Sequence, residues 1–313
     1  MKHLVCIIAL ITSFACGSAR KANHPNAVEV SALSEKVSLY EQLQDQDSSG
    51  FIMTEKCDSL FFSGLLGAAR PGTVDIEAAR SLSGISPTWH RRPAQDCGPS
   101  FGNSRSTTSR DMLLGLLWHF WKNKQLDLAV ELMEDLKSNS YYLRGDGSAG
   151  ELLVNPNLLN TLAHIIRTLG GPRYSLELAY PTSISAGAGF ESHLAVWHIL
   201  LRGDINKQVS PSEFETLEEL AKREPTNPLY QAAYAKYLDG QQATSIELLM
   251  NPAHWPSDRL PASSEHCSDW PVQRDLLDAR GNPSKDWLPC ADENKIHSGA
   301  ELILIYYLIL GGL

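Results

Sequence analysis

The chain has no apolar run long enough to cross a bilayer. Its longest, Leu4 to Ala15, falls short of the roughly 20 residues that a membrane-spanning helix requires. No basic stripe or cluster offsets the net charge of -9, which argues against a nucleic-acid partner. Walker loop, dinucleotide fingerprint and HExxH pair are all missing, so neither a cofactor nor a resident metal is expected. Among Cys57, Cys97, Cys267 and Cys290, no two stand at the close spacing of a structural zinc site. Strand alternation is scarce and no fixed repeat period can be found, which argues against a β fold and against a regular array of identical repeats.

What is present begins with a compartment signal. Lys2, the apolar run and the small residues of "ACGS" make a secretory signal peptide over residues 1–15. The residue after Ala15 is Cys16, in a context that resembles a bacterial lipobox, although Ser13 and Phe14 replace the usual leucine and small residue. The reading is an acylated Cys16 on a polar tether over residues 16–28; ordinary cleavage near Ala15 or Ala19 is the alternative. The protein is expected in the bacterial cell envelope, as an outer-membrane lipoprotein touching the membrane through its lipid alone, or otherwise periplasmic or secreted. An oxidising compartment leads us to expect disulfides, Cys57 with Cys97 and Cys267 with Cys290. Four cysteines allow three connectivities, and each bridge would contribute about 2 to 4 kcal/mol.

Residues 29–313 read as one all-α domain, with 43% hydrophobic and 20% charged residues typical of a globular chain. Helix starts are marked by Asn155 before Pro156, by Asn227 before Pro228 and by "SPSE" at Ser210, where Ser210 and Glu213 can form a capping box. Stops are expected at Gly170, Gly171, Gly203 and Gly240. Short links, "KNKQ" among them, imply antiparallel hairpins. Such hairpins close into an (α/α) toroid or stack as an open α-solenoid. Long loops at 83–108, 140–155, 172–190 and 251–297 favour the toroid.

"DQDSSGFIMTEK" places Asp45, Asp47, Ser49, Gly50 and Ile52 like the first, third, fifth, sixth and eighth residues of a calcium loop. Lys56 occupies the twelfth place, where that loop needs a bidentate glutamate. A polar turn is therefore the expectation, with Thr54 capping the following helix.

The long loops collect the chemistry. One holds "WHRRPAQDCG"; another holds Trp255, Asp258, Arg259, Trp270 and Trp287. Tryptophan faces beside carboxylates and guanidinium groups suit sugar rings, though such tryptophans also serve to pin loops to the body. "CDSLFFSGLL" from Cys57, "SRDMLLGLLW" from Ser109 and "HSGAELILIYYL" from His297 together resemble the (α/α) toroids of bacterial six-hairpin glycosidases and related lyases. That resemblance implies the architecture first and a glycosidase-like or lyase-like activity second.

Asp58 and Asp111 are the nominated catalytic carboxylates, with Asp258 in reserve. Each of the first two also has a structural explanation, Asp58 in the helix dipole and Asp111 in a capping box from Thr108. Glu301 has a capping explanation through Ser298. Substrate binding is assigned to Trp89, His90, Arg91, Arg92, Arg110, Trp255, Arg259, Trp287 and His297. The basic trio at 90–92 is expected to line a pocket, since three consecutive polar side chains cannot share one apolar face. The expected function is binding of a cell-wall or extracellular glycan, with its cleavage by a glycoside hydrolase or lyase left open. The alternative is a non-enzymatic helical-hairpin lipoprotein that scaffolds envelope partners, supported by the tetratricopeptide flavour of "NPLYQAAYAKYLDGQQATSIELL".

Overall fold

A computed structural model describes residues 27–42, 44, 46–53, 58–83, 86–94, 107–144, 152–175, 184, 190–238, 242–250 and 300–313. The signal segment, Cys16, Thr54, Lys56 and all four candidate disulfide cysteines lie outside them, as do Asp258, Trp255, Arg259, Trp270, Trp287, His297 and Gly240. Ten helices are described: α1 (Ala27–Gln42), α2 (Ser59–Ala69), α3 (Arg110–Asn123), α4 (Leu126–Ser138), α5 (Pro156–Thr168), α6 (Phe190–Asn206), α7 (Pro211–Arg223), α8 (Pro228–Lys236), α9 (Ala243–Met250) and α10 (Ala300–Ile309). Among the described residues the protein is all-α apart from one small antiparallel ribbon, β1 (Arg80–Ser83) and β2 (Ser86–Trp89), in register Arg80 with Trp89. No described helix is long and apolar enough to cross a membrane.

Local chemistry explains several helix ends. Asn155 accepts the amide of Asn157, and Asn227 accepts those of Leu229 and Tyr230, each with proline in the first turn. Ser210 and Glu213 form the reciprocal capping box. Gly170 follows α5 with φ +93°. Two expected ends are corrected. Gly203 lies inside α6, where a Cβ would stand 2.0 Å from the Tyr237 hydroxyl; it makes room for that side chain, which follows α8, and Lys207 at φ +61° follows the true end. At α3 the cap residue is Ser109 rather than Thr108, and its side chain caps no backbone amide.

In the polar turn, Asp47 Oδ1 accepts the amides of Ser49 at 2.9 Å and Phe51 at 3.0 Å, while Gly50 takes φ +81°. Its carboxylate serves the backbone.

Helix α3 is the centre of the core: Met112 through Trp121 are all buried, against α2, α4, α5 and α6. Burial of each large apolar side chain contributes roughly 1.5 to 3 kcal/mol. The two-residue link to α4 makes an antiparallel hairpin, since Thr107 before α3 donates its amide to Arg144 beyond α4 at 3.0 Å. Helices α2 and α3 run parallel. Gly64 faces Gly115 midway along them, and Asn123 Nδ2 donates to Gly67 O at 3.0 Å at their far ends. Their N-termini consequently lie side by side.

Candidate functional site

Two parallel N-termini concentrate positive dipole ends at one place. Asp58 is the N-cap residue of α2, but its side chain caps nothing and turns instead to Arg91, whose Nη1 is 3.0 Å from Asp58 Oδ1. Arg91 comes from the segment after β2, anchored because its carbonyl accepts the amide of Leu60 at 2.8 Å. Its Nη2 donates to Ser109 Oγ at 2.8 Å, and Ser109 Oγ in turn donates to Asp111. The structure thus joins the two nominated carboxylates, Asp58 and Asp111, through one guanidinium and one hydroxyl.

The expectation that the basic trio lines a pocket is corrected for Arg91, which is only 4% exposed. A guanidinium can be buried when its donors are matched to carboxylate and hydroxyl acceptors, as they are here. His90 and Arg92 are half-buried and Arg110 is exposed. Ser81 Oγ lies 2.7 Å from His90 Nε2, and burial pushes the pKa of that imidazole down. Trp89 is also corrected as a sugar platform. It is 5% exposed and meets Phe120 edge-on at 5.9 Å, so its faces are packed into the core. Thr108 Oγ1, next to Ser109 in the chain, and Nε1 of the Trp89 indole packed on Phe120 are buried and have no partner among the described residues.

In this arrangement both carboxylates act as acceptors. Replacing Arg91 with alanine would leave Asp58 and Ser109 without their shared donor in a mostly buried position. The expected loss of stability is about 3 kcal/mol, read from urea denaturation. A loss under about 1 kcal/mol would place the pair among ordinary surface salt bridges.

A second network is wholly buried and was missed in the sequence. Glu301 on α10 accepts from His193 Nδ1 at 2.9 Å and from Trp197 Nε1 at 3.1 Å, both on α6. Asn227 Nδ2 donates to Glu224 Oε2 at 3.0 Å and lies 3.3 Å from His193 Nε2. Burial pushes the pKa of Glu224 up. His193, Asn227 and Glu301 are fully enclosed, so this network ties α6, α8 and α10 together rather than opening to a substrate. The signal was present: one carboxylate in the otherwise apolar "AELILIYYLI" demands a buried partner. The described part of α10 begins at Ala300, so capping of Glu301 by Ser298 lies outside the described residues.

The fold and this geometry define an all-α protein with a charged cluster where two parallel helices begin. Comparison with protein-family models, curated proteins and solved structures finds no match.

Proposed function

We propose that this protein is exported to the bacterial cell envelope, held there through Cys16, and binds a cell-wall or extracellular glycan at the head of α2 and α3. What carries the reading is the convergence of Asp58 and Asp111, far apart in the chain, on Arg91 and Ser109, next to the unpaired Thr108 Oγ1. An unpaired buried donor costs about 1 to 3 kcal/mol, which a ligand hydroxyl would offset. His90, Arg92 and Arg110 border the cluster and suit a glycan carrying uronate or phosphate groups. The finer architecture is a toroid, supported by contacts that pass from α2 through α3, α6, α8 and α10 and back to α2.

Cleavage would need one protonated carboxyl across the bond from a base or nucleophile. Asp58 and Asp111 each have one carboxylate oxygen engaged as an acceptor, and Asp258 is held in reserve for the second role. Binding is therefore the core of the proposal.

The test is a glycan array probed with the full exported protein, followed by titration of the best ligand. Retention of anionic over neutral glycans is expected. Joint replacement of Arg92 and Arg110 by alanine should weaken binding at least about tenfold without moving the melting temperature. The scaffold reading draws support from the burial of Trp89, which removes the only nominated tryptophan among the described residues from stacking on a sugar. A folded protein that retains no glycan would overturn the glycan reading in its favour.

A further inference from the structure

At the other end of α3, about 20 Å from Asp111 by helix rise, four lysines share one carboxylate. Trp121 is nearly buried and donates its Nε1 to Asp204 Oδ2 at 2.6 Å, which holds the indole in place. Lys122 Nζ stands 3.6 Å from the same oxygen. Lys124 Nζ lies 3.8 Å from the centre of the Trp121 ring, and Lys207 Nζ lies 5.8 Å from it. Lys236, at the end of α8, donates to the carbonyl of Leu313 and is within electrostatic range of Asp204, Lys122 and Lys207.

Lysines at helix C-termini ordinarily complement the negative dipole end. That accounts for one cation per helix end in water. It does not account for two lysines, Lys122 and Lys124, at the end of α3, nor for the convergence of Lys124 and Lys207 on one indole. Both have left-handed backbones, φ +57° and +61°, at positions that glycine fills without steric cost. Nor does it account for the mostly buried Lys236. In a chain whose net charge is -9, this crowding of like charges runs against the overall balance.

We propose that Lys122, Lys124, Lys207 and Lys236 bind an oxyanion group, a phosphate or a carboxylate, with Trp121 as the wall of the site. Lys124 and Lys207 are exposed, and Lys122 and Lys236 are half-buried, so the first pair offers the anion its accessible contacts. Burial first, and then the neighbouring lysines, hold the Lys236 amine down at about 8, with Asp204 the opposing charge; an arriving anion adds a second negative charge facing that amine and drives it to take up a proton. This site is independent of the glycan cluster, being built from different residues at the opposite end of α3.

The experiment is calorimetric titration of the full protein with pyrophosphate and with citrate at constant ionic strength, in two buffers of different ionisation enthalpy at pH 8. Saturable binding is expected, with proton uptake seen as a buffer-dependent heat. Lys124→Ala with Lys207→Ala should weaken binding at least about tenfold while the melting temperature and any glycan binding stay unchanged. Vesicles of anionic lipid form a separate arm, which tells a headgroup from a soluble anion as the source. Absence of saturable binding at millimolar pyrophosphate and citrate, or equal binding by the double variant, overturns the site. Loss of glycan binding with anion binding intact would strike the glycan reading alone.

Discussion

Gly115→Ala is expected to destabilise the protein by about 3 kcal/mol and to lower its melting temperature by roughly 10 °C, even though alanine is the better helix former by about 1 kcal/mol. A Cβ at Gly115 would sit 2.6 Å from Phe61 Cα and 2.7 Å from Phe61 O, and one at Gly64 would sit 2.4 Å from Gly115 O. These obstacles are backbone, so no rotamer change relieves them. The two helices must move apart, and every buried contact between them loosens. The heads of α2 and α3 would separate with them, which should break the bridge of Arg91 between Asp58 and Ser109. Gly64→Ala should act in the same direction. Thermal and urea unfolding check both variants; an unchanged or raised melting temperature would show that the close approach of these helices is dispensable.

The second large effect is loss of stability in mild acid. Burial is the main reason that His119 is held down at about 4 and His198 at about 3; for His119 the Gly64 carbonyl and Asp75 oppose it, and for His198 the Arg202 guanidinium adds to it. His198 Nε2 lies 2.7 Å from Thr161 Oγ1, whose own proton goes to Asn157 O at 2.9 Å, so the neutral ring donates through Nε2. Both folded values lie below the unfolded value of about 6.5. Above about 6.5 both states hold neutral rings, and the native state bears no penalty. Below it the unfolded chain takes up protons that the native state refuses, and stability falls with pH until the folded values are reached. Each histidine then costs about 3 kcal/mol by pH 4, together a large part of a typical stability. Glu224, whose pKa burial raises, works the other way, while His90 and His164, held down chiefly by burial, add to the loss. Urea midpoints measured from pH 7 to pH 4 should fall steeply, and His198→Phe should flatten the slope. A stability constant over that range would refute the effect.

Much of the secondary structure was legible in advance because its causes are local. Asn155, Ser210 and Asn227 satisfy amides two or three residues away, and Gly170 needs only its own backbone freedom. The hairpin of α3 and α4 follows from a two-residue link. The candidate site was legible only in part. Asp58 and Asp111 stood out as carboxylates beside helix starts, yet their meeting depends on Arg91, and a basic trio reads as exposed until its middle member is given acceptors from α2 and α3.

Residue types and their short-range spacing by themselves determined that this chain is helical, where several helices begin, and which charged residues sit at those beginnings. The tertiary structure decided the rest. It set Gly203 inside a helix because Tyr237 needed the space, buried Trp89 against Phe120, and enclosed Glu301 with His193 from a helix more than a hundred residues earlier in the chain. Burial is a property of the neighbours rather than of the residue. A polar side chain enters the core only when distant elements bring the partners that compensate its lost hydration, and no local pattern records which elements those are.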